Sequence, residues 1–97
     1  MQLTNKVKDH FLNPRNVGRL DGATISGSAG NSVADSGIKV FLRLDARGAI
    51  EKLTYQIFNN APAIAPASAF SELAIGKTLG EATAIDKGTL MQYLECD

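Results

Sequence analysis

Apolar residues along this chain recur first at helical spacing, then at every second position, then at helical spacing again. Leu3, Val7, His10 and Phe11 fall three and four residues apart, which predicts a short helix over residues 4–12 capped by Thr4 or Asn5. Asn13-Pro14 ends it, because the residue before a proline avoids helical backbone, and Gly18 suits the close of the Asn-Pro-Arg-Asn-Val-Gly turn. From Asp21 to Gly37 glycine and serine recur. Only Ala23-Thr24-Ile25 has strand character there, so an edge strand followed by a flexible loop is expected, and the loop could carry a site.

Strict alternation follows. Ile38, Val40, Leu42 and Leu44 alternate with Lys39, Phe41 and Arg43, and Leu53, Tyr55 and Ile57 alternate with Lys52, Thr54 and Gln56. Asp45-Ala46-Arg47-Gly48 between these runs predicts a type I turn with a left-handed Gly48, hence an antiparallel hairpin with one wet face. Beyond Asn59-Asn60-Ala61-Pro62 the helical period returns through Ile64, Phe70, Leu73 and Ala74, with Pro66 in the first turn and Gly76 as a stop. Thr78 and Glu81 form a capping-box pair, and Asp86 or Thr89 opens a last helix through Leu90, Met91, Tyr93 and Leu94. The predicted class is α+β: an N-terminal helix, about three antiparallel strands, then helices packed on one face, in a single domain over residues 1–97.

Composition narrows the chemistry. One cysteine and one histidine in 97 residues cannot form an internal disulfide or a zinc-finger ligand set. Ten basic against ten acidic side chains, with no basic run, leave no electrostatic footprint for nucleic acid or an anionic membrane. No apolar run reaches the length of a membrane span, and Met1 to Lys6 lacks a signal-peptide core, so a reducing, cytoplasmic setting is expected. Six aromatic side chains leave much of the core to Ala, Val, Ile and Leu.

Catalytic constellations are weak. His10 and Cys96 stand at opposite ends of the chain, Cys96 at a terminus of the kind that frays, and the carboxylates are dispersed among turns and caps. The glycine-rich stretch leads into a strand rather than a helix, and Gly76-Lys77-Thr78 reads as a helix stop followed by a cap, so no phosphate loop is supported. No enzyme activity is predicted.

Three segments together resemble one family. Lys6-Val7-Lys8-Asp9-His10-Phe11-Leu12-Asn13-Pro14-Arg15-Asn16-Val17-Gly18 is similar to the opening helix and turn of the iron–sulfur cluster assembly scaffolds of the NifU N-terminal domain or IscU type. Asp45 to Glu51 resembles that family's hairpin turn, and Ala63-Ile64-Ala65 through Gly76-Lys77-Thr78-Leu79-Gly80-Glu81-Ala82 its first core helix and following connection. The likeness runs from about residue 4 to 94.

It implies a non-enzymatic scaffold on which three cysteines and an aspartate hold a nascent cluster, with sulfur delivered by a cysteine desulfurase. Carried over position by position, Gly30 matches the family's leading glycine, Ala34 stands at the first cysteine, Ser36 at the aspartate and Asn60 at the second cysteine. Asp35 lies one place early. The third cysteine, its Leu-Pro-Pro segment and the last helix have no counterpart, and Cys96 falls short of that cysteine's place. Alanine offers no donor, and a hydroxyl or carboxamide replaces a thiolate poorly.

The resemblance therefore implies a C-terminally short, degenerate relative that acts as a non-ligating binding or regulatory module. One alternative is a cluster or metal carrier using Cys96, Asp35 or ligands from a second subunit; another is a fold reused for an unrelated small ligand. No cofactor is expected on a single chain, and iron or an iron–sulfur cluster only in an oligomer. The expected partners are a cysteine desulfurase or another scaffold. A second copy is expected too, because lack of the last helix would uncover apolar surface around Ile64, Phe70, Leu73, Leu90 and Leu94. Asn13, Pro14, Arg15 and Asn16 could contact a partner, although side chains in such turns commonly satisfy nearby backbone. His10 is expected to be partly buried rather than a metal ligand, and Asn59 and Asn60 to cap the following helix.

Overall fold

A computed structural model describes residues 3–31, 33 and 35–96. Helix α1 spans Asn5–Leu12; the Thr4 hydroxyl accepts the Val7 N–H at its start and donates to the Leu94 carbonyl at 2.6 Å, joining the two ends of the chain. Val7 and His10 face inward, but Leu3 is 74% and Phe11 46% exposed, so the buried stripe is narrower than the apolar spacing predicts. His10, expected to be partly buried, is fully enclosed.

Strands β1 (Ile25–Asn31), β2 (Ser36–Leu44) and β3 (Ile50–Phe58) form an antiparallel sheet in that order. The stretch expected to be a loop is thus an edge strand whose register runs from Ile25 opposite Leu42 to Asn31 opposite Ser36. Ladder hydrogen bonds need only backbone, and an exposed edge asks little of its side chains, so pairing with β2 overrides the poor strand propensity of glycine and serine. Gly30 has a specific reason to be glycine: opposite Gly37, a Cβ at this position would lie 2.4 Å from the Ser36 carbonyl oxygen. Gly30→Ala should therefore pry apart this end of the β1–β2 pair and cost about 1–3 kcal/mol. Gly27→Ala, whose Cβ meets nothing within 4 Å, should change stability by no more than about 1 kcal/mol. Urea titration with amide exchange of β1 separates the two; equal stability of both variants would refute the steric role.

The β2–β3 turn forms as expected. Gly48 takes φ 82°, its N–H meets the Asp45 carbonyl, and Asp45 Oδ1 accepts the N–H groups of Arg47 and Ala49 at 2.9 and 3.0 Å. At the other edge of the sheet Tyr55 N–H donates to the Asn16 carbonyl and Gly18 N–H to that of Tyr55, so the turn after α1 lies along β3 and covers its edge.

A 3₁₀ turn at Ala61–Ala63 leads into α2 (Ile64–Ala74), which Gly76 terminates at φ 93°. Asn60 caps neither element with its side chain, contrary to the expected capping role; the turn is closed by backbone, Ala63 N–H to the Asn60 carbonyl. The Thr78–Glu81 capping box opens α3 (Leu79–Thr83), and Asp86 caps α4 (Lys87–Tyr93).

The alanine-rich α2 lies between two cores. Ala74 packs with Ile50, Leu53, Tyr55 and Ala82 against the inner sheet face, while Ala65 and Ala69 meet Val7, Leu94 and Cys96 beneath α1 and α4. Small side chains on both flanks let three layers close around one helix. Two expectations change here. Leu94, expected to be uncovered, is 1% exposed, and Cys96, expected at a frayed end, is buried in the same cluster. Ile64, Phe70, Leu73 and Leu90 remain half-buried, and a cleft of ≈ 240 Å³ lined by Ile38, Val40, Phe70 and Leu90 opens between sheet and α2.

Candidate functional site

Three polar residues of α2 share one face at spacings of three and four: Ser68, Ser71 and Glu72. Onto them dock α1 and the turn after it. His10 Nδ1 lies 2.7 Å from Ser68 Oγ, its Nε2 3.2 Å from Glu72 Oε1, and its ring meets the Tyr93 ring edge-on at 5.8 Å. The Tyr93 hydroxyl donates to Glu72 Oε1 at 2.8 Å, and Arg15 N–H donates to Ser68 Oγ at 2.9 Å. Donor counting assigns the tautomer. With Arg15 supplying a proton to Ser68 Oγ, the Ser68 hydroxyl donates to Nδ1, and Nε2–H serves Glu72, so a neutral imidazole satisfies every partner. Burial pushes the His10 pKa below its ordinary value, aided by the Arg15 charge and opposed by Glu72 and Asp9.

Serine, histidine and glutamate in sequence suggest a nucleophile relay, but Ser68 is fully buried and its oxygen already accepts a backbone N–H. No substrate can reach it. The cluster is a structural clasp holding residues 13–18 against α2.

The turn residues considered for partner contact are largely engaged within the chain. The Arg15 guanidinium pairs with Asp9, which holds the Asp9 carboxyl below the usual range, and Asn13 Nδ2 donates to the same carboxylate at 3.2 Å. Asn16, at φ 61°, donates its amide to Ser71 Oγ at 3.0 Å. Pro14 alone of the four has no polar side chain and is exposed. Beside them, exposed Leu3, Phe11 and Leu12 border an apolar groove of ≈ 490 Å³ floored by Val7 and Ala65.

The second candidate region lies at the far end of the sheet. Gly37 pairs with Phe58, so Ser36 and the Asn59-Asn60 segment emerge side by side where β2 begins and β3 ends. Asp35, exposed at φ 49°, immediately precedes Ser36; Ala34 lies outside the described residues. Cys96 does not join this region: it sits in the cluster under α1 and α4, its Sγ 3.8 Å from the Leu94 carbonyl. Among the described residues no three His, Cys, Asp or Glu side chains approach closely enough to hold a metal ion. The donors at the Ser36–Asn60 end are a hydroxyl, two carboxamides and the Asp35 carboxylate, with no thiol among the described residues there, a set that does not fit an iron–sulfur cluster. Sequence reading passed over the clasp residues Ser68, Ser71 and Glu72, although their polar i, i+3, i+4 spacing on an otherwise alanine-rich helix marks them; Tyr93, on α4, joins them only through the fold.

Residues 2–96 match the NifU-like N-terminal domain family. The chain belongs to that family. This NifU-like domain is 39% identical to iron–sulfur cluster assembly scaffold protein IscU 1 of Archaeoglobus fulgidus, over 94% of the chain and 59% of that relative's length. It is 34% identical to IscU of Escherichia coli, over 98% of the chain and 77% of the relative. The domain thus spans somewhat under two-thirds of its archaeal relatives. The crystal structure of the N-terminal NifU-like protein of Brucella abortus superposes with a TM-score of 0.75 at 17% identity, covering 95% of the domain and 74% of that chain, which establishes the shared fold. The Archaeoglobus and Escherichia coli relatives are both named as iron–sulfur cluster assembly scaffold proteins.

Proposed function

We propose that this NifU-like domain serves iron–sulfur cluster assembly as a non-ligating binding or regulatory module, docking a cysteine desulfurase or a second scaffold in the cytoplasm. A single observation carries the reading: Ser36 and Asn60 stand at the places where the family resemblance puts an aspartate and a cysteine, while the chain's one thiol is buried under α1 and α4. Oxygen and amide donors bind iron–sulfur clusters too weakly to serve as an assembly site, whereas a retained fold keeps its docking surface. The open cleft at Phe70 and Leu90 supports self-association as part of that role.

Anaerobic reconstitution with ferrous iron and sulfide, followed by size-exclusion chromatography with light scattering in the presence of a cysteine desulfurase, tests the proposal. The chain should stay colourless, run alone as a dimer or larger, and co-elute with the desulfurase. A stable thiolate-to-iron charge-transfer band lost in Cys96→Ser would overturn it in favour of a carrier role; a colourless chain that never binds desulfurase or scaffold would overturn the docking role.

A further inference from the structure

The sheet's outer face carries a cleft unlike the apolar grooves. Ser26 and Ser28 of β1, Lys39 and Phe41 of β2, Gln56 of β3, and Arg19 line a hollow of ≈ 500 Å³. Register puts them there. Ser26 lies opposite Phe41, Ser28 opposite Lys39 and Lys39 opposite Gln56, and cross-strand partners project to the same face. Arg19 comes from the other direction, just beyond the segment that runs along the free edge of β3.

The charge on this wall is one-sided. The chain as a whole balances ten basic with ten acidic residues, yet the cleft is lined by a guanidinium, an ammonium, two hydroxyls and a carboxamide, and by no carboxylate among the described residues. Arg43, further along β2 on the same face, is neutralised by Glu51 at 2.9 Å. Among the described residues Arg19 and Lys39 make no ion pair. Lys39 Nζ rests 5.8 Å from the Phe58 ring, a contact that leaves its N–H donors available. Lys39 on the central strand and Arg19 from beyond the β3 edge, with the Gln56 carboxamide between them and the Ser26 and Ser28 hydroxyls on the far side of Lys39, match a compact dianion rich in acceptor oxygens.

We propose that this cleft binds a small organic phosphate monoester. The phosphate sits between Arg19 and Lys39, the ligand's hydroxyls meet Ser26, Ser28 and Gln56, and Phe41 forms the apolar wall. Among the described residues the lining of the cleft holds only these two cations, so the site suits one phosphate rather than the backbone of a strand. The assignment is independent of the cluster-assembly reading.

Ribose 5-phosphate titrated into ¹⁵N-labelled protein at low salt is the test, with ribose as the neutral probe. Saturable amide shifts should appear at residues 19, 26–28, 39–41 and 56 with a dissociation constant of about 1 mM or tighter, and ribose should produce none. Arg19→Gln and Lys39→Gln, both at solvent-facing positions, should each weaken binding about tenfold, the scale of one charge-assisted hydrogen bond, while Lys52→Gln leaves it unchanged. Shifts that are absent, or shared equally with Lys52 and Lys77, or indifferent to Lys39→Gln, would overturn the proposal. Tighter binding of a single-stranded oligonucleotide at the same residues would overturn the small-ligand assignment in favour of a polymer.

Discussion

His10→Ala should lower the unfolding free energy by about 3 kcal/mol, among the larger losses available to a single substitution in this chain. Three costs combine. The imidazole is 1% exposed, so its removal opens a void between α1, α2 and α4. Ser68, itself fully buried, loses the acceptor for its hydroxyl proton, and Glu72 loses the Nε2–H donor. The docking of Arg15 N–H on Ser68 is then no longer fixed from the other side, so the turn that covers the edge of β3 loosens with it. Against a total stability of about 5–15 kcal/mol for a domain of this size, such a loss brings the protein near its threshold. With a urea m-value of about 1–3 kcal/mol/M the midpoint should fall by roughly 1–3 M. Tyr93→Phe, which removes only the phenol's bond to Glu72, should cost no more than about 1 kcal/mol. A His10→Ala midpoint within about 0.3 M of the native one would show that the clasp contributes little.

The same clasp shows where sequence reading succeeds and where it stops. Elements specified by local chemistry were legible: the Thr4 and Asp86 caps, the Thr78–Glu81 capping box, and the turn with Gly48 left-handed are all found as expected. Ile25–Asn31 was not legible as a strand, because its pairing is set by the partner backbone of β2 and by the close approach at Gly30, neither of which leaves an apolar alternation. Leu94 and Cys96 are buried because Thr4 fastens the end of α4 to the start of α1, a contact between residues 90 positions apart that no periodicity encodes. Ser36 and Asn60 were singled out only through the family resemblance, by counting along the chain from its matching segments; that Cys96 packs away from them is a tertiary fact. Likewise the basic cleft is assembled from four separate segments, each with an unremarkable charge, which is why a neutral chain conceals it.

Acidification should destabilise the fold in two separate windows, the first belonging to His10. In the unfolded chain its imidazole takes a proton around the ordinary value of 6.5, whereas the folded ring resists protonation because burial and the Arg15 charge outweigh Glu72, Asp9 and the geometry of the clasp. Between the two pKa values the unfolded state binds more protons, so stability is fully present above 6.5, declines as the pH falls below it, and levels off once the folded ring also protonates. The charged and titratable groups facing the ring are Glu72 from α2, Tyr93 from α4, Arg15 from the turn, and Asp9 and Lys6 from its own helix. The second window opens lower. Asp9, held by Arg15, and the helix caps Glu81 and Asp86 all have depressed carboxyl pKa values, so their contributions are present above the ordinary carboxylate range and are lost only as the pH falls through their folded values. Urea midpoints from pH 7.5 to 2 should therefore fall in two steps for the native chain. His10→Gln, lower in stability but neutral throughout, should be flat across the upper step and keep the lower one. Parallel curves for the two proteins above pH 5 would remove His10 as the source. A native chain that gains stability on mild acidification would mean that the Glu72 attraction, not burial, governs the ring.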